Sequence, residues 1–263
     1  MRVVTLASSS KGNCVLIYTD TTHILIDMGI KLDECEAKLN ALGVSPSSID
    51  AILNTHCHGD HTKGVGPFVR KYGTKIYVHL DGREALINKI GRVNQNDIIS
   101  FNEMPFAVGE FTIKAFKLPH DAPCCVGYNL QAEGQKVSYA TDLGHITPEI
   151  VNNLLGSALV VLESNHDEQM LIANPNYSFI LKNRILGQNG HICNKVSAKV
   201  VLQLAVSGTR QVVLAHLSEE NNTPELCYKT VCEYLADNGV LEGTHIKVDV
   251  APAQKIGTVF KLK

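Results

Sequence analysis

Short apolar runs, broken by turn residues, open the chain. Residues 3–6, 15–19 and 24–27 are too short for helices and apolar enough for buried strands, with Ser/Gly/Asn and Asp-Thr-Thr turns between them. Leu32, Cys35, Leu39 and Leu42 then recur at helical spacing, and Gly43 is the stop. Residues 51–54 read as a strand, 64–72 as a helix and 75–78 as a strand again. The middle is strand-rich, over 106–108, 111–117, 126–131 and 136–141, with Gly134-Gln135 as the hairpin turn between the last two. A helix near Pro148, a buried strand over 159–163, helices over 175–186 and 195–206 and a strand over 211–215 follow. Thr223 is a good N-cap and Pro224 suits the first helical position, so a further helix opens there, and two strands close the chain. Two groups of strands with flanking helices predict an α/β fold of two sheets between helical layers.

Composition changes this picture little. The 263 residues are 44% apolar, enough for one large α/β unit with a substantial core. No apolar run approaches the length of a membrane span, and the first is too short for a signal peptide, so a cytoplasmic location is expected. Eight cysteines without a CxxC pair point to free, mostly buried thiols rather than disulfides or a zinc ribbon. A formal net charge of −2, with no basic tail or arginine-rich arm, argues against gripping long DNA by phosphate neutralisation alone. Phosphate chemistry stays open where metal ions supply the positive charge.

Reactive groups concentrate in Thr55-His56-Cys57-His58-Gly59-Asp60-His61. In extended backbone His56 and His58 point to one side and Cys57 to the other, so two imidazoles can share a metal while the thiol packs. A helix starting at Asp60 turns Asp60 and His61 toward a second ion. One histidine in a loop is usually structural; three with an aspartate in this order form a metal-ligand constellation.

The segment resembles the THxHxDH signature of the metallo-β-lactamase superfamily. Further positions of that pattern follow in order: Leu25-Ile26-Asp27-Met28-Gly29, Leu118-Pro119-His120, Ala140-Thr141-Asp142 and Leu214-Ala215-His216. The resemblance implies an αββα four-layer sandwich, two mixed β-sheets flanked by helices, filling residues 1–263 as one domain. It also implies two divalent metal ions, one on His56, His58 and His120 and the other on Asp60, His61 and His216, with Asp142 shared. Asp27 would steady a ligating imidazole from behind. Two cations about 3.5–4 Å apart can hold a bridging hydroxide for attack and neutralise charge on the attacked group. Imidazole and carboxylate donors suit zinc first, with manganese and iron as alternatives.

A narrower resemblance rests on Ser8-Ser9-Ser10-Lys11-Gly12-Asn13, Leu162-Glu163-Ser164-Asn165-His166-Asp167, Gly190-His191-Ile192-Cys193-Asn194 and the segment after Ala215. These are similar to the YycJ/WalJ/VicX family, which is associated with DNA 5′-exonuclease activity; Cys193 departs from that pattern, which has serine there. The resemblance implies a phosphodiesterase whose partner is a DNA end and not a membrane. Ser9, Asn13, His166 and Asn194 then become substrate-binding or supporting residues, and Asp60 joins the catalytic set. By similarity to tRNA 3′-end-processing RNase Z, Glu163 would orient His191, and His191 would protonate the leaving oxygen.

The residues themselves lean the same way. With Asn194 as N-cap, His191 would lie beside a helix N-terminus that attracts anions, and Lys182, Arg184, Lys195 and Lys199 add positive charge. The interval from Asp142 to His216 is too short for the inserted β-CASP domain of nucleases such as RNase J. Glyoxalase II-like thioesterases and lactonases share the metal ligands and are the rival enzymes. A regulatory or scaffolding protein on the same fold is the non-enzymatic alternative. His23, His79, His145 and His245 have no supporting constellation and read as structural or surface residues.

Overall fold

The computed structural model describes residues 1–262. Its strands in chain order begin with β1 (Arg2–Ser9), β2 (Gly12–Tyr18), β3 (His23–Ile26), β4 (Ala51–Leu53), β5 (Lys75–His79) and β6 (Ile98–Phe101). They continue with β7 (Phe106–Val108), β8 (Phe111–Lys117), β9 (Val126–Ala132), β10 (Gln135–Ala140), β11 (Leu159–Glu163), β12 (Gln211–Ala215), β13 (Lys247–Val250) and β14 (Phe260–Lys261). The helices are α1 (Leu32–Ala41), α2 (Gly59–Thr62), α3 (Val65–Tyr72), α4 (Arg83–Ile90) and α5 (Pro148–Leu154), then α6 (Glu168–Ala173), α7 (Phe179–Leu186), α8 (Asn194–Val206) and α9 (Pro224–Asp237). Among the described residues no helix is long and apolar enough to cross a membrane.

The strands form two mixed seven-stranded sheets, β14-β1-β2-β3-β4-β5-β6 and β13-β12-β11-β10-β9-β8-β7. Side-chain alternation explains how they stack. Ile24 and Ile26 of β3 meet Tyr128, Val137 and Val161 of the second sheet in a shared inner core. Leu25 between them turns outward, against Cys35 and Leu39 of α1 and Phe68 of α3. On the other side Val160 and Leu162 of β11 pack on Val201 and Leu204 of α8 and Val231 of α9. The result is the αββα four-layer sandwich, with strands apolar on both faces because both faces are covered. Each such fully buried aliphatic side chain contributes about 1.5–3 kcal/mol.

Local readings shift in several places. The hairpin between β9 and β10 turns on Glu133-Gly134, both at positive φ (51° and 70°), one residue earlier than expected. The helix expected over 175–186 is only α7, because Ser178 caps it by accepting from the Leu181 N–H and Pro175 stays outside. α4, β6 and α6 were not anticipated; α4 buries only Leu86 and Ile90 and α6 only Leu171, too few for a clear periodic signal. Asn194 is the first residue of α8 and not its cap: Cys193 holds the cap position, and the Asn194 amide is engaged with Ser164 and Asn222.

Sheet direction places the site. β3 and β4 run parallel, as do β10, β11 and β12, so their C-terminal ends gather at one rim of the sandwich.

Candidate metal centre

Every donor comes from a strand end at that rim. The chain leaves β4, runs extended through residues 54–58 and turns into α2, which carries Asp60 and His61. Asp27 and His216 follow β3 and β12 directly and Asp142 lies two residues past β10, and all three have left-handed backbone, with φ of 57°, 57° and 63°. Such conformations cost non-glycine residues about 1–3 kcal/mol each and persist where the surroundings fix them. Here the Asp27 N–H donates to the Leu53 carbonyl, the Asp142 N–H to Glu163 and the His216 N–H to Ser8 Oγ. Gly29 is also forced: a Cβ there would lie 1.6 Å from the Asp60 carbonyl oxygen.

The donors fall into two overlapping groups. Ligand atoms of His56, His58 and His120 lie within 4.8 Å of one another, as do those of Asp60, His61 and His216. Asp142 lies between them. Its Oδ2 is 3.2 Å from His61 Nε2, and its Oδ1 is 3.7 Å from His120 Nε2 and 3.6 Å from His216 Nδ1. His56 Nε2 and Asp142 Oδ2 are buried without a hydrogen-bond partner, a costly state for polar atoms that a cation would relieve. Borderline nitrogen and hard oxygen donors in this number fit a divalent metal.

Electrostatics agree with that fit. Burial opposes charge on His61 and His216, yet Asp142, with Asp60 among the other carboxylates, prevails and raises both, His216 to about 10. Burial likewise pushes the Asp60 and Asp142 carboxyls up, but the His61 and His216 imidazoles hold them below the ordinary range. His56 and His120 go down, chiefly through burial. The rim thus holds protons on two imidazoles, and an arriving cation must displace them.

Two buried carboxylates stand behind the donors. Asp27 Oδ2 accepts from His61 Nδ1 at 2.7 Å and from the Thr55 hydroxyl, and Oδ1 accepts from the Thr55 N–H. Glu163 Oε1 accepts from His216 Nδ1 at 2.8 Å and from His191 Nδ1 at 2.9 Å. Its oxygens also accept the backbone N–H groups of Asp142, Leu143 and Ile192. With Nδ1–H committed to a carboxylate, His61 and His216 can offer only Nε2 to a cation, once the proton held there has left.

The remaining candidates are placed as follows. Asn13 Nδ2 reaches the Ser9 carbonyl and lies 3.1 Å from His61 Nε2, while the Ser9 hydroxyl accepts from the Lys11 N–H. His166 is buried with both ring nitrogens unpartnered, and burial pushes it down to about 4. Cys57 is buried and joins none of the donor groups. Of the four basics, Lys182 donates to the Ile172 carbonyl, Arg184 to Asp121, and Lys195 lies 3.5 Å from Glu168. Asp121 escaped the sequence reading. Its Oδ1 is 3.4 Å from His120 Nε2, and the available signal was a carboxylate directly after a ligand histidine.

Residues 22–217 match the family model of the β-lactamase superfamily domain. The chain belongs to the metallo-β-lactamase superfamily. Within it, this hydrolase is 32% identical to exodeoxyribonuclease YycJ of Bacillus anthracis over 89% of either chain. It is 31% identical to exodeoxyribonuclease WalJ of Streptococcus pneumoniae, over 94% of this chain and 93% of that one. In structure it is similar to the metallo-β-lactamase fold protein YhfI from Bacillus subtilis, with a TM-score of 0.71 at 17% identity over 97% and 98% of the two chains. This metallo-β-lactamase-fold protein is a YycJ/WalJ-like, metal-dependent hydrolase.

Proposed function

We propose that the protein is a binuclear metal-dependent phosphodiesterase that shortens DNA from an end, as a 5′-exonuclease. The observation that carries the reading is the pair of imidazoles on Glu163. One, His216, faces the donor cluster; the other, His191, is partly exposed beside it with Nε2 free for a substrate. A departing alkoxide needs a proton, whereas a thiolate, whose thiol pKa is about 8.5, leaves without one. His191 therefore favours an oxygen leaving group over the thioester of a glyoxalase II-like enzyme. The names of the YycJ and WalJ relatives point to deoxyribonucleic acid as the substrate.

His56, His58 and His120 would hold one divalent ion and Asp60, His61 and His216 the other, with Asp142 between; the donor chemistry suits zinc. When bound, the ions supply Lewis acidity, which makes water acidic near neutral pH and neutralises phosphate charge. Asp27 and Glu163 fix the tautomers and orientations of His61 and His216. Glu163 also holds His191 so that the imidazolium Nε2–H can be given to the leaving oxygen. Asp60, kept ionised by the two neighbouring imidazoles, is a donor ready at neutral pH.

The test is end-labelled single- and double-stranded DNA incubated with zinc-, manganese- or iron-loaded protein and with an Asp60→Ala/His61→Ala double variant. Stepwise shortening from the 5′ end by the native protein alone is expected. No cleavage with any metal, together with turnover of a thioester or lactone, would overturn the reading.

A further inference from the structure

We propose that α7 is the arm that holds the nucleic-acid strand beside the metal centre. Arg184 takes a phosphate next to the scissile one, and Phe179 and Ile180 take the base and sugar of the same stretch of single strand. The proposal rests on the phosphodiesterase reading above and adds the binding surface that it lacks.

Position comes first. Arg184 Nε donates to Asp121, whose Oδ1 lies 3.4 Å from His120 Nε2 and 3.9 Å from His58 Nε2. One carboxylate thus separates the guanidinium from two of the candidate metal donors. The Arg184 side chain is 56% exposed, and its terminal amino groups have no partner among the described residues. They form the open half of a fork that suits a phosphate.

The surface around Arg184 is unusual for this molecule. α7 buries none of its eight residues, and Phe179 and Ile180 are 76% and 80% exposed. Four of the ten large apolar side chains left exposed fall within residues 172–186, so apolar surface collects here rather than scattering. An isolated helix this short is marginal. Main-chain contacts keep α7 in place: the Ser178 cap, the His191 N–H on the Ile185 carbonyl, and Gly190, where a Cβ would lie 2.1 Å from that same oxygen. Ile180 and Arg184 are one turn apart and share a face, so the apolar surface continues from the guanidinium at the rim.

Charge selects the occupant. Residues 169–218 contain five lysines and arginines and no aspartate or glutamate, in a chain whose net charge is −2. A second copy of the same arm would be repelled. A polyanion with flat apolar bases matches both the charge and the exposed rings, as in proteins that bind single strands by phosphate contacts and stacking.

The experiment measures binding of a fluorescent single-stranded phosphorothioate oligonucleotide to the zinc-loaded full chain by anisotropy, across salt concentrations. Arg184→Ala is expected to weaken binding about tenfold and to lower the slope of log affinity against log salt by about one. Arg184→Lys keeps the slope but not the full affinity. Phe179→Ser/Ile180→Ser weakens binding about fivefold at an unchanged slope. Zinc content and melting temperature identify any variant that fails to fold. Unchanged affinity in folded variants would overturn the arm, as would absence of binding by the native chain. A native dimer that Phe179→Ser/Ile180→Ser converts to monomer without loss of affinity would overturn it too, making α7 a subunit contact. If the native chain binds with these dependences but shortens no DNA end, the exonuclease reading falls and the arm stands.

Discussion

Behind the donors each sheet places one buried carboxylate, and the two are used differently. Asp27, at the end of β3, serves a single imidazole, His61, and spends its other bonds on the Thr55 backbone and hydroxyl and the Asn54 amide. Glu163, at the end of β11, serves two imidazoles and three backbone N–H groups. The first arrangement can only hold a donor. The second holds a donor and keeps a further imidazole at the mouth, so in the proposed mechanism the second sheet carries the proton-handling side of the site.

The largest effect should come from breaking the second arrangement. Glu163→Gln removes the charge that both imidazoles face, and kcat should fall about 10³-fold or more even with excess metal, because proton transfer alone contributes about 10²–10⁴. Asp27→Asn should instead weaken metal affinity about 10–100-fold, with most lost turnover returning as metal is added. Metal titration of both variants, followed by turnover, checks the contrast; equal rescue by metal would erase it.

Next in size is His191→Ala. We expect kcat to drop about 10²-fold or more with unchanged metal affinity. The deficit should shrink on a diester with a 4-nitrophenolate leaving group, which departs without a proton. An undiminished deficit would move His191 from proton donor to binding residue.

Metal removal sharpens the comparison further, since donors from both sheets should share one linkage. At a thousandfold excess over its dissociation constant a bound ion stabilises the fold by about 4 kcal/mol. A chelator should then lower Tm by roughly 10 °C, at about 2–4 °C per kcal/mol for a chain of this size. Calorimetry with and without chelator measures it.

The smallest effect concerns His166, a buried imidazole on the second sheet's side whose two ring nitrogens lack partners. Burial holds it down to about 4, against about 6.5 in the unfolded chain. Between those values the unfolded state binds the extra proton, so stability is retained above about pH 6.5 and lost as pH falls toward 4. From pH 7 to pH 5 the loss from this group is about 2 kcal/mol. Urea unfolding of the native chain and of His166→Leu at the two pH values should differ by that amount; parallel pH dependences would refute it.

The long apolar strands and the donor residues were legible because alternation and residue type are local properties. Glu163 was legible as a partner of His191 but not of His216. That contact depends on register, for β11 and β12 pair in parallel with Glu163 opposite Ala215, which sets His216 beside the carboxylate. The hairpin slipped by one because Glu133 accepts a positive φ that glycine advertises more loudly. Asn194 was misread as a cap because its chemistry suits that position; tertiary partners Ser164 and Asn222 claim its amide instead. Asp121 was missed for a related reason: its meaning lies in what it approaches, His120, and not in any mark of its own. The helix at α7 was anticipated, but its exposure was not, because burial is set by the rest of the fold.

The pairing of β14 with β1 has a consequence for how the molecule is made. Arg2 and Val3 find their partners in Lys261 and Phe260, so the first sheet cannot be completed until residues more than 250 positions downstream have been made. Its donors His56 and His58 emerge early, but His216 follows 160 residues after His56. A nascent chain therefore displays loose imidazoles long before it owns a finished cation site. A cation that draws on both sheets has to wait for β12.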